Sequence, residues 1–382
     1  MTIQRENDNK NHQPGRLIGR FILTTTIVIT SFILIIIFGL LLSSKGKPIP
    51  LTDEQGNPIA GSISEKIIID INGVKQGMFI KSKDETNPVL LFLHGGPGMP
   101  EYFLTQKYPT GLEENFTVVW WEQRGAGLSF SLDIPTETMT IDQLVADTLE
   151  VSNYMRDRFG KEKIYLMGHS GGSFFGILAA HQAPELFYAY IGVGQMSYQL
   201  KSENLAYAYM LDEYRKAGNN KMVEKLENAS PGMISPLPDA YLMLRDDAMH
   251  GLGIGTTMEM KSVISGIFIP SLINKEYTLK EKFNIWRGKS FSAGYLRNEM
   301  FSIDLTQKVQ NLEIPVYFLH GKFDYTCSYD MAKGYLDELQ AQVKGFYTFE
   351  HSAHSPIFEE PGKMMDILHN DVLSGLNHLA DD

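Results

Sequence analysis

Along this chain the spacing of apolar residues changes character several times. Phe21 to Leu42 carries no charge and is mostly Ile, Leu, Phe and Val. As a helix this stretch would extend about 33 Å, enough to cross a hydrocarbon core of about 30 Å. Beyond it, residues 43–64 are rich in Gly, Pro and polar side chains and read as a linker. The segments 66–71 and 77–82 then read as two strands turning near Asn72-Gly73, a strong hairpin signal. From there short apolar runs alternate with helical patterns. The runs are Pro88–Leu93, Thr117–Trp121, Lys163–Met167, Tyr188–Val193, Pro315–Leu319 and Gly345–Phe349. Continuous apolar runs of this length suit strands covered on both faces. Ile141–Phe159 and Phe174–Gln182 have helical spacing between them. Such alternation predicts a mostly parallel sheet with right-handed crossovers and helices on both faces.

The alternation stops between residues 197 and 301. That region reads as helices only: Glu203–Lys216, Lys221–Asn228, Asp239–Met249, Thr256–Ile267 and Lys280–Trp286. An all-helical insertion between two strands predicts a lid over the C-terminal ends of the sheet, with its Met and Tyr residues as packing. The expected organisation is therefore a tail (1–20), a transmembrane helix (21–42), a linker (43–64), a layered core in two parts (65–196 and 302–382) and the lid (197–301).

Arg5, Lys10, Arg16 and Arg20 precede the apolar segment, and only Lys45 and Lys47 follow it closely. The basic excess predicts a cytoplasmic N-terminus, a single pass through the cell membrane and an extracytoplasmic remainder. A cleaved signal peptide is the alternative, although its apolar region is normally shorter and Leu41-Leu42-Ser43-Ser44 is a poor cleavage site. A buried core helix is the third reading. The net charge of −11 disfavours nucleic acid as a partner, and a single cysteine excludes an intramolecular disulfide and a cysteine-rich metal site. His94, His320 and His351 lack metal-ligand spacing, and no Rossmann or P-loop glycine pattern is present.

Gly168-His169-Ser170-Gly171-Gly172 matches G-x-S-x-G. Alone the match is weak. Its place between a strand-like run and a helical run makes it a candidate nucleophile elbow, which strains the central residue and exposes its hydroxyl. A serine hydroxyl needs a base, and in a sheet of this architecture an acid and then a histidine follow the later strands. Asp324 lies just past Pro315–Leu319, and His354 just past Gly345–Phe349. His351 is the rival base and Asp330 the rival acid. A second Gly-rich turn, His94-Gly95-Gly96-Pro97-Gly98, follows the strand Pro88–Leu93. Its Gly96 amide, with that of Gly171, is the expected donor pair for an oxyanion. A third loop, Trp120 to Ser129, holds Glu122 and Arg124, which read as braces rather than substrate contacts.

Taken together, HGGPG, then W-x-QRG-x-G-x-S, then G-x-S-x-G resemble the prolyl aminopeptidase family of α/β-hydrolases, from about Pro88 to Pro361 outside the lid. Glu122 departs from the Asp more common at that position, and the lid has no clear match to the family's substrate-recognition segment. The resemblance implies an α/β-hydrolase fold and a serine hydrolase with a Ser170-His354-Asp324 triad. It also implies release of N-terminal residues, proline favoured, with no cofactor. In that family lid carboxylates hold the substrate's free α-amino group, and Glu203 and Glu299 are the candidates here. The expected partners are a peptide or small acyl substrate and the lipid bilayer. An esterase or small-amide hydrolase on the same scaffold is the first alternative. A non-catalytic membrane-anchored binding protein is the second.

Overall fold

A computed structural model describes residues 14–381, with side chains from Ile18 onward except Ile36. Most of the expected N-terminal tail lies outside the described residues. Helix α1 (Pro14–Ser43) is the one helix among them long and apolar enough to cross a membrane. Its length and position suit an anchor or a signal sequence alike.

Eight strands form one sheet: β1 (Ile63–Ile71), β2 (Val74–Ser82), β3 (Val89–Leu93), β4 (Thr117–Glu122), β5 (Ile164–His169), β6 (Phe187–Val193), β7 (Val316–Gly321) and β8 (Lys344–Phe349). Their order is β1-β2-β4-β3-β5-β6-β7-β8. β2 runs antiparallel to both neighbours, and the pairs from β4 to β8 are parallel. β3 is buried along its whole length, as its unbroken VLLFL run requires of a strand with both faces covered. Helices α2 (Ile141–Phe159) and α3 (Gly171–Gln182) cover one face. Phe174, Ile177 and Ala180 pack there with Leu91, Leu166 and Phe318. The other face is closed by a second apolar cluster that includes Phe92, Trp120, Met167 and Tyr347. Two covered faces leave only the strand ends open for chemistry.

The insertion after β6 holds α4 (Gln199–Lys216), α5 (Asn220–Glu227), α6 (Asp239–Leu252), a π-turn (Ile264–Phe268) running into α7 (Ile269–Ile273), and α8 (Leu279–Ser302). Two elements differ from expectation. Residues 256–262 are not helical. Their amides bond to side chains instead: Thr256 N to His250 Nε2 (3.3 Å), Met258 N to Glu359 Oε1 (2.6 Å) and Met260 N to Thr257 Oγ1 (3.2 Å). Such bonds compete with the helical ladder. Helix α8, expected only to Trp286, continues to Ser302 behind a Thr278/Glu281 capping box. Its Gly288 interrupts the helical pattern but lets the helix lie against the Gly125–Gly127 turn, where a Cβ would sit 2.7 Å from Gly125 O.

The expected linker is docked rather than free. Gly46 N donates to Lys275 O (3.2 Å), Ile49 N to Glu276 Oε1 (2.5 Å), and Lys282 Nζ to Ser44 Oγ (2.9 Å). Glu276 is itself buried, with Lys81 Nζ at 2.7 Å and the Tyr102 hydroxyl donating at 2.7 Å. This knot ties the exit of α1, strand β2 and the lid into one corner.

Candidate active site

β5 ends at His169 and α3 begins at Gly171, so the chain reverses at one residue. Ser170 takes φ 54° and ψ −123°, a backbone region that a side chain rarely occupies. The turn closes because its flanks have no side chains. A Cβ on Gly172 would lie 2.0 Å from Leu93 O, and one on Gly168 would lie 2.5 Å from Gly172 O. Ser170 N donates to Val193 O at 2.9 Å, which pins the elbow to the neighbouring strand.

Asp324 and His354 leave β7 and β8 at the same end of the sheet. His354 Nδ1 bonds to Asp324 Oδ2 at 2.9 Å. Asp324 Oδ1 accepts from Thr326 N (2.8 Å) and Cys327 N (2.9 Å), so the carboxylate is held on both oxygens. His320 Nε2 adds a contact to Oδ2 at 3.1 Å. Burial would raise the Asp324 carboxyl, but the imidazoles of His354 and His320 reverse this and hold it well below the ordinary range. Burial pushes His354 below the ordinary imidazole value of 6.5, against the pull of Asp324. The result is a neutral imidazole beside an ionised carboxylate, the protonation states a general base requires. His351 and Asp330 are both exposed, and neither lines a cavity with Ser170.

Ser170 lies where two small cavities meet. One, of about 180 Å³, is lined on its apolar side by Phe103, Leu104, Ile267 and Phe358 and includes His354. The other, of about 210 Å³, is lined by Gln199, Glu203, Arg245, Lys289 and Arg297. Gly96, Asp246, Lys289 and Thr326 border both. Among the described residues, no hydrogen bond closes between the Ser170 hydroxyl and His354. Such contacts tighten when substrate is bound. A larger cavity of about 740 Å³, beside His351 and Glu359, contains neither Ser170 nor His354. Size therefore does not mark the chemistry here.

The Gly96 backbone crosses directly over the start of α3. A Cβ on Gly171 would meet Gly96 N at 3.2 Å. Gly96 has φ 119°, which only glycine takes without strain. The loop is held from behind by a residue that sequence reasoning passed over. The buried Glu101 accepts from Gly95 N through Oε1 (2.8 Å) and from His169 Nδ1 through Oε2 (2.8 Å). His169 Nε2 lies 2.9 Å from His354 O. Burial opposes charge on this histidine, but Glu101 outweighs it, so His169 is raised while Glu101 is lowered. One ion pair thus ties the Gly-rich loop, the elbow and the histidine loop together. Its signal was an acid three residues past HGGPG and a histidine inside G-x-S-x-G.

Glu122 and Arg124 act as braces. Burial raises Glu122 to about 8, against the Tyr277 hydroxyl and Leu128 N that donate to it. Arg124 forms a fully buried pair with Asp147 (2.6 Å).

The two lid carboxylates part company. Glu203 is buried and faces Ser170 across the second cavity. Arg245 Nε donates to it at 2.7 Å, Tyr241 at 2.8 Å and Gln199 at 2.9 Å. Its charge is therefore already matched. Glu299 does not reach the site. It is exposed on α8, while Leu296 and Met300 turn inward. It lies near the end of the lid in sequence, but helix phase points it away. Asp246, next to Arg245 and 3.1 Å from its Nη1, is the second carboxylate that borders the cavity.

The sequence profile of the alpha/beta hydrolase fold family matches residues 88–361. A "Probable aminopeptidase YbaC" of Bacillus subtilis (strain 168) is 33% identical over 302 residues, which span 78% of this chain and 93% of that protein. A proline iminopeptidase of Saccharolobus solfataricus is 23% identical over 74% of this chain and 84% of its own length. The crystal structure of a proline iminopeptidase from Mycobacterium smegmatis superposes with a TM-score of 0.57 at 15% identity, covering 81% of this chain and all of that one. The chain belongs to the α/β-hydrolase fold family, with relatives named as aminopeptidases.

Proposed function

We propose that this protein is a serine hydrolase acting as an aminopeptidase that releases N-terminal residues, proline favoured, from short peptides. The core (65–196 and 302–382) carries the chemistry, and the lid (197–301) closes over it. His354 takes the proton from Ser170 as its oxygen attacks the acyl carbonyl. Asp324 orients the imidazole and stabilises its cation. The amides of Gly96 and Gly171 hold the oxyanion. His354 returns the proton to the leaving amine, and a water activated by the same imidazole then releases the acyl group and restores Ser170.

The observation that carries this reading is the mixed charge around Ser170. Glu203 and Asp246 offer acceptors for an α-ammonium, which needs a carboxylate partner if it is to be buried. Lys289 and Arg297, without a carboxylate partner among the described residues, suit the far carboxylate of a di- or tripeptide. One fact favours the esterase alternative: Arg245 already neutralises Glu203. A panel of fluorogenic prolyl substrates, with free and with blocked amines, separates the two. The aminopeptidase reading expects turnover of the free-amine substrates only. Equal turnover of the blocked forms, or of simple acyl esters alone, would replace it with the esterase.

We further propose that α1 remains as a single-pass anchor with the catalytic domain outside the cytoplasm. The basic residues before the span support this orientation.

A further inference from the structure

The lid carries an apolar surface that nothing in its own fold covers. Ile264, Phe268, Ile269 and Ile273 are exposed along the π-turn and α7. Single exposed apolar residues are ordinary, but four within ten residues on one helical stretch make a patch. The surroundings of the patch indicate its occupant. Helix α1 packs against α7. The chain leaving α1 is pinned to the same corner by the bonds from Gly46 to Lys275 and from Lys282 to Ser44. The apolar window of α1 has none of its residues buried in the protein. The patch thus sits beside the C-terminal end of a helix whose apolar window is otherwise uncovered by the protein. Lys45, Lys47, Lys275 and Lys280 are all exposed around this corner, in a chain whose net charge is −11. An apolar face rimmed by lysines matches anionic headgroups above acyl chains.

We propose that the π-turn and α7 edge of the lid is a membrane-docking surface. Ile264, Phe268, Ile269 and Ile273 enter the boundary between headgroups and acyl chains of the bilayer that α1 spans, and the four lysines meet anionic headgroups. This rests on α1 being a retained anchor. The docked edge also forms a wall of the active site, because Ile267 of the same turn lines the Ser170 cavity together with the preceding Val263. The bilayer therefore holds one wall of that cavity at its surface.

The test uses the full chain in vesicles of phosphatidylcholine and phosphatidylglycerol. Ile269→Cys and Ile273→Cys variants are each labelled with a nitroxide, and Leu379→Cys serves as the reference. The one native cysteine, Cys327, is buried, so labelling is directed to the introduced thiol. Leu379 is exposed beside β8, at the opposite edge of the sheet from β1. Collision rates with oxygen and with a water-soluble nickel chelate report depth. The expected result is an oxygen-to-nickel ratio several-fold higher at 269 and 273 than at 379. Equal ratios at all three sites, in a chain that stays with the vesicles through an alkaline carbonate wash, would overturn the docking and leave the anchor standing. Loss of the chain in that wash would overturn the anchor reading and the docking with it.

Discussion

The sheet edge and the lid both place buried carboxylates beside Ser170, but they do so by different means. Asp324 stands on a loop directly after β7, and its oxygens are met by Thr326, Cys327, His320 and His354. Its position follows from where the strand stops. Glu203 stands on α4, and its oxygens are met by residues from two lid helices: Gln199 of α4 itself, and Tyr241 and Arg245 of α6. Its position follows from how helices pack against one another. A strand end limits a residue to one edge of the sheet. A helix offers many directions, and only tertiary packing selects among them.

That contrast can be sharpened by substitution. Asp324→Asn removes the charge that holds His354 in one tautomer. It should lower kcat on a free-amine prolyl substrate by about 10³–10⁴-fold with little change in KM. A loss below tenfold in steady-state kinetics would show that His354 does not depend on it. Glu203→Gln should act on the lid more gently. It leaves Arg245 with Asp246 alone, and should cost roughly 1–3 kcal/mol of stability in denaturant unfolding. It should also raise KM for free-amine substrates and leave blocked ones unchanged. If stability falls while that ratio stays fixed, Glu203 serves Arg245 and not the substrate.

The smallest effect lies in pH dependence. The base must be neutral to work, so activity is lost as pH falls through the His354 value. Burial sets that value below 6.5. The acid limb of kcat/KM should therefore centre below pH 6.5, with Asp324 remaining ionised throughout it. A limb centred above 6.5 would mean that Asp324 outweighs burial.

The same division explains what could be read from the sequence. All eight strands were legible: β1 and β2 from the Asn72-Gly73 hairpin turn, and the other six as unbroken apolar runs of strands covered on both faces. The sequence placed Ser170, Asp324 and His354 in loops just past such runs, and the structure brings those loops to the same end of the sheet. His354 was preferred to its rival His351 for its greater distance past the strand, and in the structure His351 is exposed while His354 meets Asp324. In the lid, α8 was read sixteen residues short, because Gly288 and Ser292 interrupt its pattern where the helix meets the Gly125 turn. Residues 256–262 had a helical pattern but yield their amides to side chains, including Glu359 from a distant segment. Glu299 pointed away because a one-residue change on a helix turns a side chain by about 100°. Glu101 was missed because its partners, Gly95 and His169, converge only in the folded chain.

Covalent labelling shows whether Ser170 is the nucleophile. The full chain is treated with a fluorophosphonate probe, and the modified peptide is identified by mass spectrometry. A nucleophilic Ser170 gives a single adduct, on Ser170, that disappears in Ser170→Ala. Labelling that persists in that variant, or that maps to another serine, would contradict it.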